Sequence, residues 1–234
     1  MAERRVAILR DSALRERNIL RNVYLWMTGG LGLTGVIAWG VSSNPDLMRA
    51  IVANQVIFFG LIIVELLLVV FLSAKIQTIS PGTAILGFTL YSGLNGITLS
   101  IILLAYTGTT IASTLFITAA TFAGTAFYAY TTKRDLSSIG HYLLMGLWGI
   151  IIASLVNLFL RSDALYWIVS YAGVALFIGL TAYDTQRIKR WNEELGDSIT
   201  ESDYIRLSIL GALKLYLDFI NLFLFFLRIF GRRR

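Results

Sequence analysis

The sequence predicts an all-α integral membrane protein with seven transmembrane helices. Three observations support this prediction: 56% of the 234 residues are hydrophobic, only 15% are charged, and the mean hydropathy is +0.71. Soluble domains carry about 25% charged residues, so lipid is the expected solvent. A helix needs roughly 20 mostly apolar residues to cross the hydrocarbon core, and such stretches recur from Asn22 to Phe230.

The first four predicted spans are separated by segments that contain proline or glycine. Asn44-Pro45-Asp46 follows the first span, Ser80-Pro81-Gly82 the second and Thr107-Gly108-Thr109 the third. Proline and glycine favour turns and end helices, so each segment is read as a connection. These spans are placed at residues 22–42, 51–74, 83–105 and 109–131.

The last three spans are bounded by charged segments. Lys133-Arg134-Asp135 precedes the fifth span and Arg161-Ser162-Asp163 precedes the sixth. Only the connection 185–206 is long, and because it carries charges of both signs we expect a solvated loop with some helix. These spans are placed at residues 139–160, 164–184 and 207–230.

The chain ends carry topology signals. Residues 1–21 contain six arginines and no apolar core of signal-peptide type, so we expect a retained, cytoplasmic N-terminal tail ahead of the membrane domain at 22–230. With that orientation 13 lysines and arginines lie on the inner side and six on the outer, as the positive-inside rule favours. The basic C-terminal tail, residues 231–234, argues against it, since seven spans place that tail outside. The net charge of +6 lies in tails and loops and does not indicate nucleic acid.

The composition excludes several kinds of chemistry. The chain has no cysteine, and His141 is its one histidine, so disulfides, thiolate nucleophiles and histidine metal clusters are excluded. We expect no cofactor and no enzymatic activity. Residues 30–35 match a dinucleotide-binding fingerprint, but inside an apolar helix its N–H groups are not free to bind a pyrophosphate. Two sets of small residues are instead expected to let helices approach closely: Gly29, Gly30, Gly32 and Gly35, and Ala119, Ala120, Ala123 and Gly124.

Few ionisable residues lie at membrane depth, and each is a functional hypothesis because burying a charge in lipid is costly. Asp218 lies midway along the last span, Glu65 lies inside the second, and Asp184 ends the sixth. Asp184 has a simpler explanation in a salt bridge to Arg187, and Asp218 in one to Lys214 one turn away. Glu65 has no partner in its own helix, so it must find one elsewhere or be protonated.

Two consecutive spans each contribute an aspartate, which allows a carboxylate pair. Two carboxylates at close range in low dielectric do not both ionise readily, so they would share a proton and titrate together. Such a pair senses pH, and when ionised it offers hard oxygen ligands to Ca²⁺. Sequence spacing leaves open whether the two meet.

Three motifs resemble the bacterial branch of the Bax inhibitor-1 family. The main one is the run Ser208–Phe223 followed by Arg228; the others are Gly179–Gln186 in the sixth span and Tyr130–Ser137 after the fourth. The resemblance covers nearly the whole chain in length, span number and motif order. It implies that the last helix is central and wrapped by the other six.

The resemblance also implies a pH-sensitive calcium leak channel in the bacterial inner membrane, with the lipid bilayer, Ca²⁺ and H⁺ as partners. Asp184 and Asp218 match the family's di-aspartyl sensor and would be the Ca²⁺ ligands. Some bacterial members bind this pair through an arginine at the end of the second span, where this chain has Lys75 as a neighbouring substitute. Lys214 is a further departure from the family pattern and would compete with Ca²⁺ at Asp218. The residues assigned to a pathway or latch are Glu65, Lys75, Lys214, Asn221 and Arg228.

Two other functions stay open. The chain resembles relatives implicated in modulating a membrane-bound AAA protease or stress response, for which the tail 1–21 would be the contact surface. An intramembrane aspartyl protease is the remote alternative. Those enzymes carry Gly-x-Gly-Asp where this chain has Leu215–Asp218, and their Pro-Ala-Leu motif is impossible with only Pro45 and Pro81.

Overall fold

A computed structural model describes residues 2–195 and 199–231 of the chain, with the backbone alone for residues 2–18, 192, 194 and 195. Within these ranges the regular secondary structure is helical. Residues 232–234 of the predicted basic C-terminal tail lie outside them. The helices are α1 (Ala2–Ser42), α2 (Pro45–Ala53), α3 (Gln55–Lys75), α4 (Pro81–Ala105), α5 (Gly108–Thr131), α6 (Gly140–Leu160), α7 (Asp163–Leu195) and α8 (Glu201–Phe230), with a 3₁₀-helix at Ser137–Ile139.

Seven segments within these helices are long and apolar enough to cross a membrane, which confirms the predicted number of spans. The tail 2–18 continues α1 without a break in the backbone. The segments are Ile19–Ser42, Gln55–Lys75, Pro81–Ala105, Gly108–Thr131, Ser137–Leu160, Asp163–Trp191 and Glu201–Phe230.

The predicted connections act as helix caps. The Asn44 side chain accepts hydrogen bonds from the Asp46 and Leu47 amides, at 3.0 and 3.2 Å, while Pro45 occupies the first position of α2. Thr107 caps α5 by accepting from the Thr110 amide at 3.3 Å. These side chains satisfy amide donors that have no partner within their own helix, which explains why the helices begin there.

The predicted start of the second span, at residue 51, is wrong. Residues 45–53 form the separate helix α2, and the span begins only at Gln55. The reason is Asn54, whose side chain accepts from the Val56 and Ile57 amides at 3.0 and 3.3 Å and so starts a new helix. Hydropathy did not separate the two helices, because apolar residues lie on both sides of Asn54.

The connection 185–206, expected to be a solvated loop with some helix, contains more helix than expected. Helix α7 runs on to Leu195 and α8 begins at Glu201, so most of this stretch is helical. Thr200 caps α8, since its hydroxyl accepts from the Asp203 amide at 3.1 Å and donates to the Asp203 carboxylate at 2.7 Å. Charged residues lower hydropathy without opposing helix formation, so the end of the apolar run did not mark the end of α7.

The described residues form two compact units. The first comprises those of Met1–Ala105 and Trp191–Tyr216, and the second those of Tyr106–Arg190 and Leu217–Arg234. Helix α8 contributes Glu201–Tyr216 to the first and Leu217–Phe230 to the second. In the most apolar window of α8, 72% of the residues are buried, against 0–33% in the other spans. That six helices wrap α8 stays a prediction.

Helices α1 and α4 of the first unit pack closely at two glycines. A Cβ placed on Gly30 would lie 2.7 Å from the Phe88 ring, and one on Gly96 would lie 2.7 Å from the Thr34 carbonyl oxygen. The prediction of close approach is therefore confirmed for Gly30. It is wrong for Gly29, Gly32, Gly35 and Gly124, where a Cβ would meet nothing within 4 Å.

The second unit packs aromatic rings from α8 against neighbouring helices. Phe219 meets Phe122 of α5 edge-on, with ring centroids 5.5 Å apart, and Phe225 stacks on Phe177 of α7 at 5.8 Å. The Phe225 ring also fills the space beside Gly173, where a Cβ would lie 2.5 Å from it. These contacts fix the half of α8 that carries Asp218.

Candidate functional site

The two aspartates singled out in the sequence are both buried in the second unit. Asp184 on α7 is 5% exposed and Asp218 on α8 is 4% exposed, although both lie within membrane-spanning segments. Each has an interaction partner in the structure. A carboxylate taken out of water must be paired, hydrogen-bonded or protonated. Protein groups or a bound proton must therefore replace water at both side chains. Their direct pairing stays a prediction, as do the Asp184–Arg187 and Asp218–Lys214 salt bridges.

The residues that follow Asp184 hold the segment between α5 and α6. We call residues 132–139 the strap. Gln186 is 7% exposed, and its side chain donates to the Arg134 carbonyl at 2.8 Å and accepts from the Leu136 amide at 2.7 Å. Arg190 forms an ion pair with Asp135 and donates to Ser137. The strap therefore ties the end of α5 to the helix turns directly after Asp184.

The Asp135 carboxylate is solvent-exposed, and its contacts with Arg190 and Ser137 hold its pKa well below the ordinary value of about 3.9. Because the pKa of Asp135 is lowered, its ion pair with Arg190 is complete at every pH above the ordinary pKa. The ion pair is lost only as the pH falls through the lowered pKa. The ion pair is therefore fully formed throughout the neutral range.

Replacement of Asp135 by asparagine is accordingly expected to leave the midpoint of any functional response between pH 6 and 8 unchanged. A titration of Asp135→Asn beside the wild type checks this. A shift of the midpoint by half a pH unit or more would contradict the prediction, because it would show that the Asp135 charge influences the groups that titrate in this range.

Replacement of Gln186 by leucine is expected to loosen the strap. The change roughly keeps the volume but removes the two part-buried hydrogen bonds to the strap, of about 1 kcal/mol each, and the one that Arg190 donates to Gln186 at 2.9 Å. The two bonds to the strap alone correspond to roughly 30-fold more frequent local opening. Hydrogen–deuterium exchange of the strap amides measures this, with the exposed Glu193→Ala on the same helix as the control. Equal exchange in the wild type and both variants would contradict the prediction.

Glu65 finds its partners on a neighbouring helix. It is 9% exposed on α3, and it accepts hydrogen bonds from Thr98 at 2.9 Å and from the Asn95 amide at 3.3 Å, both on α4. The expectation that Glu65 needs a partner outside its own helix is confirmed. Asn95 thus forms a hydrogen bond between α4 and α3. Its side-chain oxygen is buried without a hydrogen bond to any described residue.

A second buried polar group of the first unit was missed by the sequence interpretation. The Thr34 hydroxyl lies 2.7 Å from the Tyr216 hydroxyl and donates to the Ser92 carbonyl at 2.8 Å, so it links α1, α4 and α8. The Tyr216 ring lies edge-on to Phe88 and Tyr91. The available signal was hydroxyl side chains within apolar spans, which hydropathy averages do not reveal.

The remaining predicted site residues occupy varied environments. Lys75 is exposed at the end of α3, and Lys214 is half-buried with an interaction partner. Asn221 donates to the Leu217 carbonyl of its own helix at 2.8 Å, and Arg228 is exposed with its guanidinium 5.1 Å from the centroid of the Phe225 ring.

Among the described residues, no group of three or more histidine, aspartate or glutamate side chains is placed to hold a metal ion. Two carboxylates alone provide few of the six to eight oxygen ligands that Ca²⁺ takes. Asp184 and Asp218 by themselves would therefore leave most of the coordination of a Ca²⁺ ion to other ligands or water.

Several bacterial proteins are similar to this chain. It is 52% identical over 215 residues to the inner membrane protein YbhL of Escherichia coli, covering 92% of each chain. It is 44% identical to an uncharacterized protein of Borreliella burgdorferi, covering 96% of each, and 41% identical to one of Rickettsia prowazekii, covering 93% of this chain and 91% of the relative. The family described as "Inhibitor of apoptosis-promoting Bax1" matches residues 16–234. The chain therefore belongs to the Bax inhibitor-1 family.

Proposed function

We propose that this protein is a pH-sensitive calcium leak channel, in which Asp184 and Asp218 form the sensor and the transient Ca²⁺ ligands. The observation that carries the proposal is the burial of both carboxylates, at 5% and 4% exposure, on the two helices that carry the family motifs. A buried acid on a membrane span is costly unless it has a role, and two on consecutive spans of one compact unit suit a shared proton.

The proposed mechanism rests on the charge of the pair. When both carboxylates are ionised they repel each other and attract a divalent cation, and when they share a proton both effects weaken. Calcium binding at the pair is therefore expected to strengthen as the pH rises. Helices α7 and α8 respond together because each carries one member of the pair.

Glu65 is the proposed second acidic position on the ion's path. Its carboxylate accepts hydrogen bonds from Thr98 and Asn95. It therefore lies beside the side-chain amide oxygen of Asn95, which accepts no hydrogen bond from a described residue. Oxygen atoms of this kind are suitable ligands for Ca²⁺. We assign Glu65 a pathway role and the two aspartates the gating role.

Calcium flux into liposomes tests the proposal. Purified protein is reconstituted with an internal Ca²⁺-sensitive dye, and initial rates are measured from pH 6 to 8 beside protein-free liposomes. The expected result is a flux above the protein-free rate that changes several-fold across this range. Flux equal to that of empty liposomes at every pH would refute the channel.

We place the protein in the bacterial inner membrane with its N-terminus in the cytoplasm. The location is supported by the name of the Escherichia coli relative, and the orientation by the excess of lysine and arginine on one side. Because the chain lacks cysteine, single cysteines at Ser12 and Arg233 give an unambiguous labelling test in intact cells. A membrane-impermeant maleimide should label Arg233→Cys and not Ser12→Cys; the opposite pattern would reverse the orientation.

A regulatory role through a partner is the second candidate, favoured by the length of α1. This helix extends 17 residues ahead of the first span, about 25 Å at 1.5 Å per residue, and the sequence of that extension carries five of the chain's arginines. Deletion of residues 2–18 separates the two functions. A channel keeps its flux without the extension, whereas a protein that docks on a membrane-bound protease loses that partner in a pull-down.

A further inference from the structure

A groove opens in the second unit where α6 ends, α7 begins and α8 ends. Its volume is about 610 Å³, within the range of about 300–1,000 Å³ that ligand pockets occupy. Its lining is mostly apolar, and three of its polar residues, Asn157, Tyr166 and Arg228, lie where α6 ends, α7 begins and α8 ends, which we call its polar end. The polar lining residues are Tyr106, Ser154, Asn157, Tyr166, Asn221 and Arg228.

The apolar wall of the groove is one stripe of α6. The stripe is formed by residues at helical spacing, and the 11 helical steps from its first to its last residue span roughly 16 Å: Leu147, Ile150, Ile151, Leu155 and Leu158. No residue in the most apolar window of α6 is buried, so this helix leaves the groove accessible from the bilayer. An acyl chain can therefore enter sideways from the lipid and lie along the stripe.

The polar end of the groove presents hydrogen-bond donors. Arg228 is exposed and, among the described residues, has no carboxylate within ion-pair distance. The Tyr166 hydroxyl donates to the Arg228 carbonyl at 3.4 Å, which connects the start of α7 to the end of α8. The side-chain oxygen of Asn157 accepts a hydrogen bond from the Ser162 backbone amide at 2.9 Å. This leaves the side-chain NH₂ group of Asn157 as a second donor on the groove.

We propose that this groove binds one anionic phospholipid, with its phosphate at Arg228 and Asn157 and one acyl chain along α6. The planar guanidinium matches a phosphate through two parallel hydrogen bonds, and a span-end cation that stacks on the Phe225 ring but has no carboxylate within ion-pair distance favours an anionic headgroup. The apolar stripe accounts for the rest of the ligand, which a free phosphate lacks. The lipid site does not depend on the proposed channel, since a bound lipid and an ion flux are measured separately.

Native mass spectrometry of the delipidated protein, titrated with phosphatidylglycerol, tests the site. Arg228→Gln removes the headgroup charge, and Leu155→Trp fills the groove from an exposed position without disturbing the packed interior. Each is expected to weaken the first bound lipid by about tenfold or more, the scale of a lost charge-assisted contact. The matched control is Arg49→Gln, an exposed arginine outside the groove that lies 3.8 Å from Asp46, and it should bind like the wild type.

Two further measurements distinguish a phospholipid from a free phosphate, and the groove from other parts of the protein surface. Glycerol phosphate should not compete with the lipid, because it has no acyl chain to occupy the stripe. Full competition would identify a free phosphate site and overturn the proposal. Unchanged lipid binding by Leu155→Trp would place the lipid outside the groove. If Arg49→Gln lost as much lipid affinity as Arg228→Gln, the loss would come from the change in net charge, and the proposal would fail. Ser154→Phe fills the groove from inside and replaces Leu155→Trp if that variant does not fold.

Discussion

Replacement of Asp218 by asparagine is expected to abolish the pH response of calcium flux. Asparagine keeps the size and hydrogen-bonding shape of the side chain but neither titrates nor attracts a cation. If the wild-type rate changes several-fold between pH 6 and 8, the ratio of the two rates in Asp218→Asn should fall to about that of protein-free liposomes. Asp184→Asn should have the same effect, because a shared proton needs both carboxylates.

The double variant distinguishes a coupled pair from two separate acids. Residues that act as a unit are not additive, so Asp184→Asn combined with Asp218→Asn should have little more effect than either single change. Asp163→Asn is the matched control, since Asp163 is exposed at the start of the same helix as Asp184. Rates in the two single variants that still change with pH as in the wild type would exclude these aspartates as the sensor. A double variant with the product of the two single effects would exclude their coupling.

The same measurement tests Glu65 separately. Glu65→Gln keeps side-chain hydrogen bonding to Thr98 and removes the charge, so the flux should fall while its dependence on pH is retained. A pathway residue affects the rate at every pH, whereas a sensor residue affects how the rate changes with pH. Loss of the pH response in Glu65→Gln would move the sensor to α3.

The parts of the fold that depend on hydropathy were predictable from the sequence. The seven apolar runs in the sequence correspond to the seven candidate spans of the structure. Connections such as Asn44–Asp46 and Thr107–Thr109 contain the residues that cap the following helices. The burial of Asp218 followed from the cost of facing lipid with a charge. These predictions succeed because each depends on a single residue or on the hydropathy averaged over a short stretch of sequence.

Features that depend on which helices meet were not predictable. Gln186 appears in the sequence as one polar residue past the end of an apolar run, yet its side chain holds the strap and α7 continues around it. Thr34 lay in a glycine-rich segment where only small size seemed relevant, and its hydroxyl joins three helices. Only the packed structure pairs such donors and acceptors, since their partners lie 50 or more residues away.

Replacement of Gly96 by alanine is expected to destabilise the protein, although alanine is the better helix former by about 1 kcal/mol. The new Cβ would lie 2.7 Å from the Thr34 carbonyl oxygen and 2.9 Å from the Ile37 Cβ, both on α1. A backbone oxygen cannot rotate away, so α1 and α4 must separate. That movement stretches the Thr34 hydrogen bonds to Ser92 and Tyr216, and overpacking of this kind costs about 1–3 kcal/mol.

Three glycine-to-alanine variants form a graded series for this prediction. A Cβ on Gly32 meets nothing within 4 Å, one on Gly93 meets only the movable end of Ile37 at 3.4 Å, and one on Gly96 meets backbone. Thermal unfolding in detergent should therefore give Gly32→Ala a melting temperature equal to or above the wild type, Gly93→Ala about the same, and Gly96→Ala a value lower by several degrees, at about 2–4 °C per kcal/mol. Equal melting temperatures across the series would mean that α1 and α4 do not approach as closely as the Gly96 contact requires. The ordering is a sharp test because helix propensity alone predicts three identical increases.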